Sequence, residues 1–267
     1  TDLADWAQTH DVHCANVRWC IQLRAVYAVY RKRTPQIVHT LSEMLDNIFE
    51  PLMEVTEDPD VNRNLHNFLK DVGSFSLMGL ELGDLVGTAC GPDWDAPENP
   101  PYSYYLYHIY CRITRLNIAR ARRGLPAFMF RPECAKQGRT DSAAAAFLVA
   151  HHVQGGQRIH RLPALEYLFY LAQIGICTSN VHLQQKLDAS ETNAFWGYFR
   201  RGLNVATCTL NPMRTHELSD RLTEEALFTA KVGRLNGLDR REVGYNAIRQ
   251  CAFAGAAFED VPLGWLL

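Results

Sequence analysis

Residues 99–138, NPPYSYYLYHIYCRITRLNIARARRGLPAFMFRPECAKQG, constrain the fold more than any other stretch of the chain. Tyr105, Leu106, Ile109, Ile113, Leu116 and Ile118 recur with roughly helical spacing, which gives a helix one apolar face. Arg120, Arg122 and Arg123 then precede Gly124 and Pro126, a combination that ends a helix. Residues 127–131 form a short apolar run suited to a strand buried on both faces. Helix, tight turn and buried strand make one αβ unit of a parallel sheet.

The remainder of the chain repeats that alternation. Residues 3–13, 34–54, 62–70, 142–149, 163–172, 193–201, 218–232 and 240–254 read as helices. Residues 17–23, 72–78, 150–153, 174–179 and 204–209 read as strands, and 90–101 as a loop rich in turn formers. The expectation is an α/β architecture with a parallel sheet, in one domain spanning 1–267.

Composition narrows the function classes. At 267 residues and 47% hydrophobic content the chain can bury a large core, and a net charge of −2 excludes a general polyanion binder. The eight cysteines are scattered without a CxxC pair, which fits reduced thiols inside a cell, the mitochondrial matrix or another organelle included. No apolar run reaches the roughly 18 residues that span a bilayer. The first residue is Thr1 rather than Met, so the chain is expected to be processed or part of a longer product.

The motifs of the central unit resemble those of the AMP deaminases, whose corresponding segment reads roughly NPPYxYYLYYMYANxxxLNxLRRxRG followed by FxxRPHCGEAG. Further matches keep the same order: residues 3–7 and 16–19 with LAxWA and NVRW, 43–52 with EMLENIFxPL, and 166–174 with QYLYYLAQI. Gly202-Leu203 and Pro212-Met213 echo later segments. The resemblance implies an incomplete TIM-type (β/α) barrel, corresponding to the third to eighth strands of an AMP deaminase catalytic domain. The first two strands, with the family's HxH metal pair, have no counterpart here.

Purine deamination at C6 needs a metal-activated water, a carboxylic acid and a base, drawn from the C-terminal ends of barrel strands. By the resemblance, the metal-binding His corresponds to Glu133 and the general-acid Glu to Lys136. The His of the HG motif corresponds to Gly155, and the paired Asp of STDDP to Leu210 and Asn211. The acidic VDDES turn falls near residues 78–81, where only Glu81 is acidic. The expected sites are therefore degenerate: no catalytic residue, no metal ligand and no cofactor. The expected function is an inactive, AMP deaminase-like structural or interaction subunit of a larger complex. Other protein subunits would cover the open edges of its third and eighth strands. The alternative is an AMP deaminase, or a nucleotide-binding pseudoenzyme, completed by another chain.

Other candidates have plainer readings. Adjacent His151 and His152 on a strand face opposite ways and do not easily share one ion. His10, Asp11, His13 and Cys14 lie in a helix-to-strand connection. Arg112, Arg115, Arg120, Arg122 and Arg123 read as a solvated helix end rather than an RNA stripe. Tyr102, Tyr104, Tyr105, Tyr107 and Tyr110 read as helix packing rather than base stacking.

Overall fold

The computed structural model describes residues 2–79, 90–135, 140–186 and 193–251. They fall into two compact units, 1–132 and 133–267.

The first unit is built on the parallel sheet β1 (Trp19–Arg24), β2 (Val72–Met78) and β3 (Met129–Phe130), in the order β1-β2-β3. Its helices are α1 (Asp2–Thr9), α2 (Tyr27–Arg31), α3 (Leu41–Glu57), α4 (Arg63–Asp71) and α5 (Tyr102–Arg122). Strand β2 is buried along nearly its whole length, as a central parallel strand covered on both faces should be. Helix α3 starts at Leu41, not at 34 as its apolar spacing predicts. Thr40 is extended, and its side chain accepts a hydrogen bond from the Glu43 N–H at 3.2 Å, so the cap sets the start. Asn62 caps α4 in the same way, accepting from the Leu65 N–H at 2.9 Å.

Helix α5 carries the apolar stripe read from the sequence: Tyr105, Leu106, Ile109, Ile113 and Leu116 are all buried. Ile118 is not on it and is 52% exposed. Two side chains fasten β3 to α5. Asn117 donates to the Phe128 carbonyl at 2.9 Å and accepts from the Phe128 N–H at 2.8 Å. Arg120 is buried, donates to the Pro126 carbonyl at 2.7 Å, and lies 3.9 Å from the centre of the Phe128 ring.

The second unit carries the parallel sheet β4 (Glu133–Cys134), β5 (His152–Gly155), β6 (Gly175–Thr178) and β7 (Val205–Thr207), in that order. Between and after the strands come α6 (Asp141–Val149), α7 (Pro163–Ala172), α8 (Asn180–Lys186), α9 (Phe195–Arg200), α10 (Pro212–Thr215), α11 (Arg221–Gly233) and α12 (Gly237–Gln250). Pro163 opens α7, where its missing N–H has no partner to lose, and Gln173 closes it in the left-handed region at φ 51°. A capping box between Asn236 and Asp239 starts α12.

Two differences from the sequence reading concern strand limits. The strand expected at 127–131 is shorter, β3 at Met129–Phe130, and a further two-residue strand, β4 at Glu133–Cys134, follows Pro132 and belongs to the other sheet. The strand expected at 150–153 begins at His152, since α6 runs to Val149 and Ala150 is its C-cap. The α/β class with parallel strands is as expected. Among the described residues no helix is long and apolar enough to cross a membrane.

Candidate functional site

In a parallel sheet the C-terminal strand ends are where functional groups gather. In the second unit the structure places most of the expected positions there. Glu133 lies on β4, pairs in register with Gln154 and is buried. Gly155 ends β5 beside Cys134, with φ +99°, and the next N–H, of Gly156, donates to the Cys134 carbonyl at 2.8 Å. Just beyond β7, the Cys208 N–H donates to the Thr178 carbonyl at 2.9 Å. Leu210 and Asn211 follow, Asn211 in the left-handed region at φ 52° as the N-cap of α10. Lys136, Leu80 and Glu81 lie outside the described residues.

These side chains do not fit a catalytic metal. Glu133 offers one carboxylate, Gly155 has no side chain, Leu210 is apolar, and Asn211 offers only a neutral amide. Among the described residues no group of three His, Cys, Asp or Glu is placed to hold an ion.

A buried polar network occupies the ends of β6 and β7 instead. Glu225 of α11 is fully buried and accepts from the Ser179 hydroxyl at 2.9 Å, from the Asn180 N–H, and from the Val181 N–H at 3.4 Å. It thereby caps α8 from another helix. Asn180 donates to Thr229 at 2.9 Å and accepts from Asn193 at 3.1 Å. The His216 ring, also without exposure, sits between two carboxylates, with Nδ1 3.6 Å from Glu224 and Nε2 3.8 Å from Glu225. Burial pushes the Glu225 carboxyl above its ordinary range, against the opposing effect of its donors. Sequence reasoning missed this network, because a Glu-Glu pair within a helix reads as a solvated face. The available signal was Ser179-Asn180 directly after a short, mostly apolar run that proves to be a fully buried strand.

The lesser candidates prove to be structural. His13 pairs with Asp71, holding the segment before β1 to the end of α4. Arg112 bridges to Asp46 at 2.8 Å and to the Ser42 hydroxyl at 2.6 Å, Arg123 donates to the Glu57 carbonyl, and Arg120 is buried. Arg115, Arg122 and Arg123 are exposed, as a solvated helix end should be, whereas Arg120 is buried and Arg112 half-buried. The Tyr105 hydroxyl is buried, accepts from the Tyr27 N–H at 2.8 Å and has its pKa raised by burial. His152 lies on β5 and His151 is exposed just before it.

Comparison with known proteins follows the same lines. A family model described as AMP deaminase matches residues 1–260. AMP deaminase from Schizosaccharomyces pombe is 37% identical, covering 97% of this chain and 32% of the relative. Human AMP deaminase 3 is 35% identical, covering 93% of this chain and 33% of the relative. The chain thus spans about a third of the length of the curated relatives it matches, at 32% and 33%. Among solved structures, the N6-methyl-AMP deaminase of Arabidopsis thaliana superposes with a TM-score of 0.55 at 13% identity, covering 91% of this chain and 56% of that one. The adenine deaminase of Arthrobacter aurescens gives a TM-score of 0.52 at 16% identity, covering 99% and 78%. At such identities the likeness is one of fold.

These relatives correct one expectation. The substitutions at Glu133, Gly155, Leu210 and Asn211 pointed to a protein that is not an enzyme. The relatives that match nearly the whole chain are themselves named AMP deaminases and point to an enzyme. The substitutions show only that these particular side chains do not supply a full set of metal donors.

Proposed function

The chain belongs to the AMP deaminase family, and from that premise we propose that it works as part of an aminohydrolase acting on adenosine monophosphate. Residues 1–267 are read as one domain supplying the third to eighth strands, within a larger assembly whose other polypeptide completes the catalytic centre. The carrying observation is identity of 37% over 97% of the chain with a protein named AMP deaminase.

The strand edges support the reading. Among the described residues β1 pairs only with β2, and β7 only with β6. Beside β1 opens a mostly apolar cavity of about 450 Å³, lined by residues that include Leu23, Val38, Met44, Leu45, Tyr105 and Ile109. An edge strand with unpaired backbone groups next to such a groove is where further chain adds.

The donors described above do not fit a catalytic metal. This unit's own residues have a positioning role. Glu225, Ser179 and Asn180 hold the turn after β6, and Asn211 turns the chain after β7.

The test is native isolation followed by size-exclusion chromatography, with co-purifying polypeptides identified by mass spectrometry. Ammonia release from adenosine monophosphate should co-elute with this chain and a second polypeptide. Elution of the chain apart from all such activity would overturn the proposal.

A further inference from the structure

Helix α7 has an outer face without charge. Glu166 and Phe169 are its buried residues, and the helical repeat sets Ala164, Tyr167, Leu168 and Leu171 on the opposite side. All four are exposed, Tyr167 by 60%, Leu168 by 42% and Leu171 by 57%. The one charged residue of the helix, Glu166, turns inward to Arg201 at 2.6 Å. A surface helix ordinarily sets polar and charged groups on its outer side, so a continuous uncharged stripe of large residues marks a contact surface.

The aromatic part of this face is already held in place. The Tyr167 and Tyr170 rings stack with centroids 6.2 Å apart. A Cβ added at Gly202, where φ is +79°, would lie 3.3 Å from the Tyr170 ring, so that ring rests against bare backbone. Aromatic side chains fixed in this way contribute contact area with little further loss of freedom on binding.

The spacing indicates what covers the face. Positions 164, 167, 168 and 171 follow the i, i+3, i+4, i+7 seam along which helices pair, and they are symmetric about the point between Tyr167 and Leu168. When two copies of α7 run antiparallel across a two-fold axis, Ala164 of one copy meets Leu171 of the other, and Tyr167 meets Leu168. The small residue therefore faces a large one at both ends, as a self-complementary two-fold contact requires. With Tyr170 at the margin, such a pair covers about 500 Å² on each copy, or about 1,000 Å² in total, the lower bound for a specific interface. That area suits a reversible dimer rather than an obligate one.

We propose that α7 is the two-fold contact through which two copies of this chain associate, antiparallel and centred between Tyr167 and Leu168. Such a contact needs no nucleotide and stands whether or not the assembly is a deaminase.

The experiment is sedimentation equilibrium of the natively isolated protein from about 0.1 to about 100 μM, with copies of this chain per particle counted by native mass spectrometry. Wild type should pass from one copy to two over that range. Leu171→Glu sets a carboxylate at both ends of the seam and should weaken association by about tenfold or more. Adding Ala164→Lys to Leu171→Glu should restore most of it. Within one helix the two positions lie about 10 Å apart, so the opposite charges meet closely only across the two-fold axis. Both positions are exposed, so the variants retain the fold, which circular dichroism checks. One copy per particle at every concentration overturns the proposal, as does association that Leu171→Glu leaves unchanged. Loss of a different polypeptide from the Leu171→Glu particle, with the count of this chain unchanged, assigns the face to that polypeptide and overturns it as well. Loss in the single variant without recovery in the double one overturns the antiparallel register.

Discussion

Arg120 shows how far residue identity alone carries. Within a run of arginines it reads as part of a solvated helix end, yet it is 1% exposed. Its position explains this: Ile113, Leu116 and Arg120 are spaced three and four residues apart, so it continues the buried stripe of α5. Burial lowers its pKa to about 10, still far above neutral, so it remains a cation held by carbonyls and the Phe128 ring. Arg120→Ala should cost about 2–4 kcal/mol in denaturant unfolding, while exposed Arg122→Ala should stay within about 0.5 kcal/mol. Equal effects would contradict the assignment. Glu225 was hidden for the opposite reason, since its partners Ser179 and Asn180 are distant in sequence. Its carboxyl pKa is raised by burial, so the folded chain holds that proton more tightly than the unfolded chain. Its stabilising contribution is full below the ordinary carboxylate range and is lost as pH rises through the raised folded value. Melting temperatures of wild type and Glu225→Gln from about pH 4 to about pH 8 should shift in favour of the variant as pH rises. A shift the other way would show that the hydrogen bonds outweigh desolvation.

At the scale of elements, the long and strongly patterned pieces were legible. Strand β2 and helix α7 have the limits that their sequences predict, with Val72, Phe75 and Leu77 buried along the strand and Pro163 opening the helix. The two-residue strands β3 and β4 were not separable, since they flank Pro132 and are told apart only by joining different sheets. Helix α8 was missed because its sequence, NVHLQQK, is short and polar, and its start depends on a carboxylate from α11. Close packing between α9 and α11 was also invisible. A Cβ placed on Gly233 would come within 1.8 Å of the Trp196 indole nitrogen, so only glycine lets the helices approach there. Gly233→Ala should destabilise the chain by about 1–3 kcal/mol, and adding Trp196→Leu should recover part of that loss. Additive losses in the double variant would mean that the two positions are not in contact.

For the whole molecule, the family was readable from ordered motifs across the chain, and the matches over residues 1–260 bear it out. Of the strand-end positions singled out in the sequence, the structure sets Glu133 beside Gln154 and Gly155 beside Cys134 on adjacent strands. What those substitutions mean for activity was not legible, because a catalytic centre is a property of every polypeptide that contributes to it. This chain spans 32% of its Schizosaccharomyces pombe relative. On the reading proposed above, an assembly containing this chain should deaminate adenosine monophosphate in preference to adenosine. The direct measurement is steady-state ammonia release by the natively isolated assembly, with adenosine monophosphate and adenosine compared as substrates. Turnover is expected with kcat/KM for adenosine monophosphate at least about tenfold above that for adenosine. No release from either substrate, or equal values for both, would contradict it.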